Sequence, residues 1–163
     1  MHTGLRVKIR QAAVSEAAFL SALAVEAKAH WGYSVDTIES WRQQLQISSA
    51  DIASKPIFVG VVDGKIAGFY SLTPSRSVWE LESLWVAPPF MRRGVGRALM
   101  THALDKSFRG GASSVTADAD PNAEAFYLSC GAVRRSENPA PISGQPNRVR
   151  PQMVFDTIPA TPK

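Results

Sequence analysis

The residues best suited to chemistry lie in one short stretch, VAPPFMRRGVGRAL, residues 86–99. Two prolines precede Arg92 and Arg93. Gly94 and Gly96 then flank Val95, and Arg97 leads into an apolar helical pattern. The stretch follows a strand pattern and opens a helix. The first turn of a helix carries backbone N–H groups with no internal partner, and the helix dipole adds partial positive charge there. Glycine lets a ligand come close to the main chain, and the arginines add full charges. Together these suit a phosphate or pyrophosphate. The stretch is not a Walker A loop, because no Gly-Lys-Ser/Thr follows. It lacks the third glycine of a dinucleotide fingerprint. A tight strand-to-helix turn with solvated arginines is the structural alternative.

Other side chains could take part. Glu80 and Glu82 lie two apart on the preceding strand, so both point to the face of Leu84 and Val86. Trp79 and Trp85 project to the opposite face and are expected to pack under helices. Asn122, Phe126, Tyr127 and Gly131 fall within ADPNAEAFYLSCGAVRR, residues 119–135. His30, Trp31 and Tyr33 form an aromatic, partly polar segment. Cys130 reads as a small buried residue beside Gly131. His2 and His102 have no metal-ligand pattern around them, and no metal site is expected.

The elements that must position these residues follow from periodicity. Leu5, Val7 and Ile9 alternate with charged residues, which predicts a half-buried strand. Ser15 is the expected N-cap of a helix whose stripe is Phe19, Leu20, Leu23, Ala24, Ala27 and Trp31, ended by Gly32. A second helix starts at Ser34, and SSADIASKP reads as a polar loop. Asp63–Gly64 between two apolar runs predicts a hairpin. SVWELESLWVA is a third strand. The helix after the arginines buries Leu99, Met100, Ala103, Leu104 and Phe108 and stops at Gly110 and Gly111. A strand over ASSVTADAD, a short helix from Pro121 to Gly131, a strand over AVRRSE, a Pro/Gly-rich loop and a last strand, RVRPQMVFDT, complete the order. Pro151 suggests that this last strand is an edge or carries a bulge, and IPATPK reads as a frayed tail. The fold class is α/β: a mixed, mostly antiparallel central sheet with one parallel β-α-β crossover and helices on both faces. One domain, residues 1–163, with its core over about 5–156, accounts for the whole chain.

Composition narrows the class. Of 163 residues, 45% are apolar and 20% charged, ordinary globular values that disfavour disorder. The net charge of +4 suits an anionic small ligand or a weak nucleic-acid surface and by itself decides neither. One cysteine excludes an internal disulfide. The N-terminus lacks the apolar run of a signal peptide, and no window approaches a membrane span of about 20 apolar residues. A cytoplasmic protein without membrane partners is expected. The basic residues are scattered, with no groove helix, zinc finger or stacked aromatic motif, so nucleic acid is not an expected partner.

With LESLWV at residues 81–86 and MRRGVG at 91–96, the strand and loop resemble the acyl-CoA pyrophosphate loop of the GNAT superfamily of N-acetyltransferases. Met91 stands where that pattern has Gln or Arg, which leaves Arg92, Arg93, Arg97 and backbone donors to act. Asn122, Phe126, Tyr127 and Gly131, about 30 residues on, match the family's second segment. The resemblance covers about residues 5–156 and implies the acyl-CoA N-acyltransferase fold, with acetyl-CoA as co-substrate. It implies that Leu84, Trp85, Val86, Arg92, Arg93, Gly94, Val95, Gly96, Arg97, Asn122 and Tyr127 bind the coenzyme. Tyr127 would give a proton to the leaving thiolate, and Glu80 would act as general base. A backbone N–H near Trp85 or Val86 would serve the oxyanion. Plain N-capping by Asn122 and packing by Tyr127 are the bland alternatives. His30, Trp31, Tyr33 and Glu82 would face the acceptor, a primary amine of a small molecule or peptide; for Trp31, core anchoring is the competing role. A homodimer is compatible with the resemblance. A coenzyme-A-binding module without catalysis is the second reading.

Overall fold

The computed structural model describes residues 6–158. Leu5, His2 and the tail beyond Ile158 lie outside the described residues. The strands are β1 (Lys8–Gln11), β2 (Ile57–Val62), β3 (Lys65–Thr73), β4 (Val78–Val86), β5 (Ser114–Asp118), β6 (Val133–Pro139) and β7 (Val149–Asp156). The helices are α1 (Ala17–Ala29), α2 (Val35–Trp41), α3 (Ser49–Ser54), α4 (Val95–Arg109) and α5 (Glu124–Ser129). The strand order is β1-β2-β3-β4-β5-β7-β6. Strands β4 and β5 run parallel, whereas β1–β2, β2–β3, β5–β7 and β6–β7 are antiparallel. This is the mixed sheet with one parallel crossover through α4 that the pattern predicts.

The described residues fall into two compact units. One runs up to Ser71 and includes Ser83–His102; the other joins Leu72–Glu82 to the chain from Ala103 onward. In the first unit, the period of two along β2 and β3 separates two faces. Ile57, Val59 and Phe69 pack with Leu20, Leu23 and Ala24 of α1 and Ile52 of α3. Each such buried Ile, Val, Leu or Phe side chain contributes about 1.5–3 kcal/mol relative to exposure. On the opposite face, Leu99 of α4 covers Gly60 and Gly68, and Phe58 stacks on Tyr70. The turn at Asp63–Gly64 has φ of 49° and 77°, as a two-residue hairpin turn requires.

In the second unit, Val115 and Ala117 of β5 and Met153 and Phe155 of β7 are buried. Trp79 packs against the end of α4 at Gly110. That helix ends as predicted. Gly111 has φ of 101°, its N–H reaches Phe108 O, and the Ala112 N–H reaches Ser107 O. The outermost strand, β6, is exposed along its whole length.

Several local expectations are corrected. Ser15 is not a cap: Val14–Glu16 form a 3-10 turn, and the Glu16 carboxylate accepts the Ala13 N–H at 2.7 Å while pairing with Arg10. Phe19 and Phe108 are exposed (55% and 44%), and the buried residue in the last turn of α4 is Ser107, which bonds back to Ala103 O. SSADIASKP is not a loop; Ser48 and Asp51 cap each other's backbone N–H and start α3. Pro151 is not on an edge, because β7 lies between β5 and β6. It falls just beyond the last β5 pair, Asp118–Gln152, and the bulge sits on the neighbouring strand at Arg135. Cys130 is half-buried at the C-cap of α5 rather than fully enclosed.

A Cβ on Gly68 would lie 2.5 Å from the Trp85 carbonyl oxygen and 3.2 Å from Val86 Cα, both backbone. Gly68→Ala is therefore expected to lower the unfolding free energy by about 1–3 kcal/mol, measured by urea denaturation, because the end of β4 must move.

Candidate active site

In the first unit the site residues gather where β4 meets α4. The parallel ladder between β4 and β5 pairs only Val78–Glu80 with Ser114–Thr116. Strand β4 nevertheless continues to Val86, whereas β5 stays paired with β7 through Asp118. Leu84, Trp85 and Val86 occupy this continuation, and the Ala87 N–H closes it by bonding Ala67 O at 2.8 Å. A 3-10 turn, Pro88–Phe90, follows.

Arg92 and Gly94 both have positive φ, 62° and 87°. Left-handed residues interleaved in a turn make successive amides converge, which is the geometry of an anion nest. The Gly94 carbonyl accepts the first helical bond of α4, from the Ala98 N–H at 3.1 Å. The amides of Val95 and Gly96 precede that bond in the first turn of a 15-residue helix, where N–H groups have no acceptor within the helix itself. Val95 is buried and anchors this turn, while Arg92, Arg93 and Arg97 are exposed. The apolar anchor and the left-handed glycine thus turn main-chain donors and three cationic side chains outward.

The same unit contains an aromatic cage. Lys28 of α1 is 4% exposed. Its Nζ lies 4.5 Å from the Trp41 ring centroid, 5.6 Å from Tyr33, 5.8 Å from Trp85 and 5.9 Å from Trp31. Trp31 and Trp85 contact each other at 5.7 Å, and Tyr33 meets Trp41 edge-on. Trp31 and Tyr33, both half-buried, thus pack around a cation and share this cluster with Trp85. His30 caps α1 and is exposed, outside the cage. Lys28 was not singled out in the sequence. The signal was a lysine four residues after Ala24 and three before Trp31, on the helix's own apolar stripe.

The second unit holds Glu80, Glu82, Asn122 and Tyr127. Glu80 and Glu82 are exposed, and Glu82 accepts a hydrogen bond from Thr73. Tyr127 is buried on α5, edge-on to Phe155 at 5.7 Å. Burial first, then the neighbouring Cys130, pushes its phenol well above the ordinary tyrosine range. It therefore stays protonated, and its hydroxyl can donate a hydrogen bond as well as accept one. Asn122 follows Asp120 and Pro121 in a 3-10 turn. Its backbone N–H and its Nδ2 both donate to Asp120 Oδ1, at 2.8 and 2.9 Å.

An acid–base ladder beyond the β5–β7 pairing was not read from the sequence. Arg150 donates to Asp118 at 2.9 Å and Arg148 to Asp120 at 3.2 Å. Its trace is two aspartates two apart in ADAD facing two arginines two apart in RVR. Only the antiparallel register makes the two pairs legible. Among the described residues, no group of three or more His, Cys, Asp or Glu side chains comes together as a metal site would need. No helix among them is long and apolar enough to cross a membrane.

Two measurements check these environments. Lys28→Met keeps the chain length but removes the caged charge; urea denaturation is expected to show a loss of about 2 kcal/mol, with Lys28→Arg losing less. For Tyr127, the folded-state pKa lies above the unfolded value of about 10. Its contribution to stability is thus complete below pH 10 and is lost as pH rises toward the folded value. Stability is expected to fall above pH 10 by up to about 1.4 kcal/mol per pH unit, and Tyr127→Phe is expected to flatten that slope.

Comparison with known proteins places this geometry. A model of the acetyltransferase (GNAT) family matches residues 22–132. Over 95 residues the chain is 34% identical to the peptidyl-lysine N-acetyltransferase YiaC of Escherichia coli (strain K12), a match spanning 58% of this chain and 62%, less than two thirds, of that protein. In fold it is similar to PaiA N-acetyltransferase from Thermoplasma acidophilum, solved in complex with coenzyme A, with a TM-score of 0.76 at 18% identity over 93% of this chain and 99% of that one. It is also similar to the ribosomal-protein-S18-alanine N-acetyltransferase from Escherichia coli, with a TM-score of 0.69 at 19% identity over 96% of this chain and 97% of that one. With a family match over more than half its length, a left-handed glycine loop at the start of α4 and a β4 that outruns its parallel partner, the chain belongs to the acetyltransferase (GNAT) family.

Proposed function

We propose that this protein transfers the acetyl group of acetyl-CoA to a primary amine, with the side-chain amine of a peptide lysine as its acceptor class. The observation that carries the reading is the Arg92–Arg97 loop, with positive φ at Arg92 and Gly94, leading straight into the first turn of α4. The acceptor class is supported by the name of the YiaC relative.

The chemistry is what family membership implies for these residues. The amides of Val95, Gly96 and Arg97 hold the pyrophosphate, and Arg92, Arg93 and Arg97 neutralise it. The edge of β4 over Leu84, Trp85 and Val86 pairs with the amides of the pantetheine arm as an added strand would. Asn122 holds the same arm. The acceptor nitrogen, deprotonated by Glu80 directly or through water, attacks the thioester carbonyl. A backbone N–H near Trp85 or Val86 stabilises the oxyanion. A C–N bond forms, the C–S bond breaks, and the electron pair leaves on sulfur. Tyr127 meets that thiolate with its O–H. Because the phenol's pKa lies above a thiol's value of about 8.5 even before burial raises it further, it acts first as a hydrogen-bond donor, and proton transfer completes as the amine's proton reaches the phenol oxygen. His30, Trp31, Tyr33 and Glu82 form the acceptor side.

The test is release of coenzyme A thiol from acetyl-CoA in the presence of lysine peptides and a panel of small amines. Turnover with a lysine peptide is expected, and Gly96→Asp is expected to abolish acetyl-CoA binding because its carboxylate meets the pyrophosphate. Tight acetyl-CoA binding without turnover on any amine would favour a non-catalytic coenzyme-binding module. Unchanged affinity in Gly96→Asp would remove the loop from the site.

A further inference from the structure

Asp120 and Arg148 form a buried ion pair, their side chains 4% and 2% exposed, and neither belongs to the machinery described above. Arg148 closes the Pro/Gly-rich loop on itself: its Nη1 donates to Ala140 O at 3.0 Å, and its carbonyl accepts the Ala140 N–H at 2.9 Å. Its Nη2 donates to Asp120 Oδ2. The other carboxylate oxygen, Oδ1, accepts both the backbone N–H and the side-chain Nδ2 of Asn122. The order is thus loop, Arg148, Asp120, Asn122.

A carboxylate only accepts hydrogen bonds. An asparagine amide beside it must present its NH₂, and the carbonyl oxygen is thereby turned away from Asp120. Without that neighbour the amide can flip and offer either group. A pantetheine arm carries amides that both donate and accept, so an amide locked in one orientation selects which of these it meets.

We propose that Asp120, held by Arg148, is a positioning residue that locks the Asn122 side chain so that its carbonyl oxygen accepts from an N–H of the pantetheine arm. This rests on the coenzyme reading above. The buried arginine is part of the device, because a buried carboxylate deprived of its cation would be strongly destabilised.

Calorimetric titration separates the contributions with two probes: coenzyme A, and 3′-phosphoadenosine 5′-diphosphate, the same nucleotide without the pantetheine arm. Asp120→Ala is expected to weaken coenzyme A binding about tenfold and to leave the nucleotide within about twofold. Asn122→Ala is expected to do the same, and the double variant no worse than Asn122→Ala alone, since both changes remove one interaction. Asp120→Asn, nearly isosteric, tests the same point if the alanine variant does not fold, because its amide no longer dictates the orientation of Asn122. Undiminished coenzyme A binding in the Asp120 variants, equal losses for both probes, or additive losses in the double variant would each overturn the inference alone. A wild-type protein that binds neither probe would overturn the coenzyme reading and this inference with it.

Discussion

Strand β4 carries hydrogen-bonding capacity that β5 does not use. The parallel ladder ends at Glu80 and Thr116, while β4 runs on for six residues to Val86. Backbone amides left without a ladder must be satisfied from elsewhere. The continuation is held on its other side, where Gly68 lets the Trp85 carbonyl come close and Ala67 accepts from Ala87. It then delivers the chain directly into the left-handed turn before α4. The proposed coenzyme path thus follows from one mismatch in strand pairing. On that proposal the strand edge would supply the partners for the arm, and the next turn the donors for the phosphates.

Much of this was readable from residue types alone. Local chemistry identified the Asp63–Gly64 hairpin, the glycine stops after α4 and α5, and the loop at Gly94. Such features depend on a few neighbouring residues and on φ preferences that glycine alone satisfies cheaply. What escaped depends on partners distant in sequence. Ser15 matched a capping pattern, but Arg10 recruited Glu16 and moved the cap. Phe19 matched the apolar stripe, yet no element among the described residues covers it. SSADIASKP looked polar because its reciprocal cap, Ser48 and Asp51, consists of polar residues.

The candidate site shows the same division. The loop and the short-helix segment were visible as motifs. The Lys28 cage was not, since its four rings come from a helix end, a connection, a second helix and a strand. A lysine at a buried position ordinarily argues against a helix face, and here the aromatic faces make that position tolerable. The pairing of Asp118 and Asp120 with Arg150 and Arg148 was hidden for a related reason. Until β5 and β7 are set antiparallel, the two dipeptide rhythms have no reason to be compared.

Strand β6 carries a consequence for how the protein behaves in quantity. It borders the sheet with every residue exposed, yet it combines Arg134, Arg135 and Glu137 with a terminal Pro139 and a register slip at Arg135. A neighbouring copy attempting to extend the sheet there would face charged side chains, a missing amide proton and a locally twisted backbone. Concentrated solutions of this chain are thereby guarded on that border against fibre-like stacking.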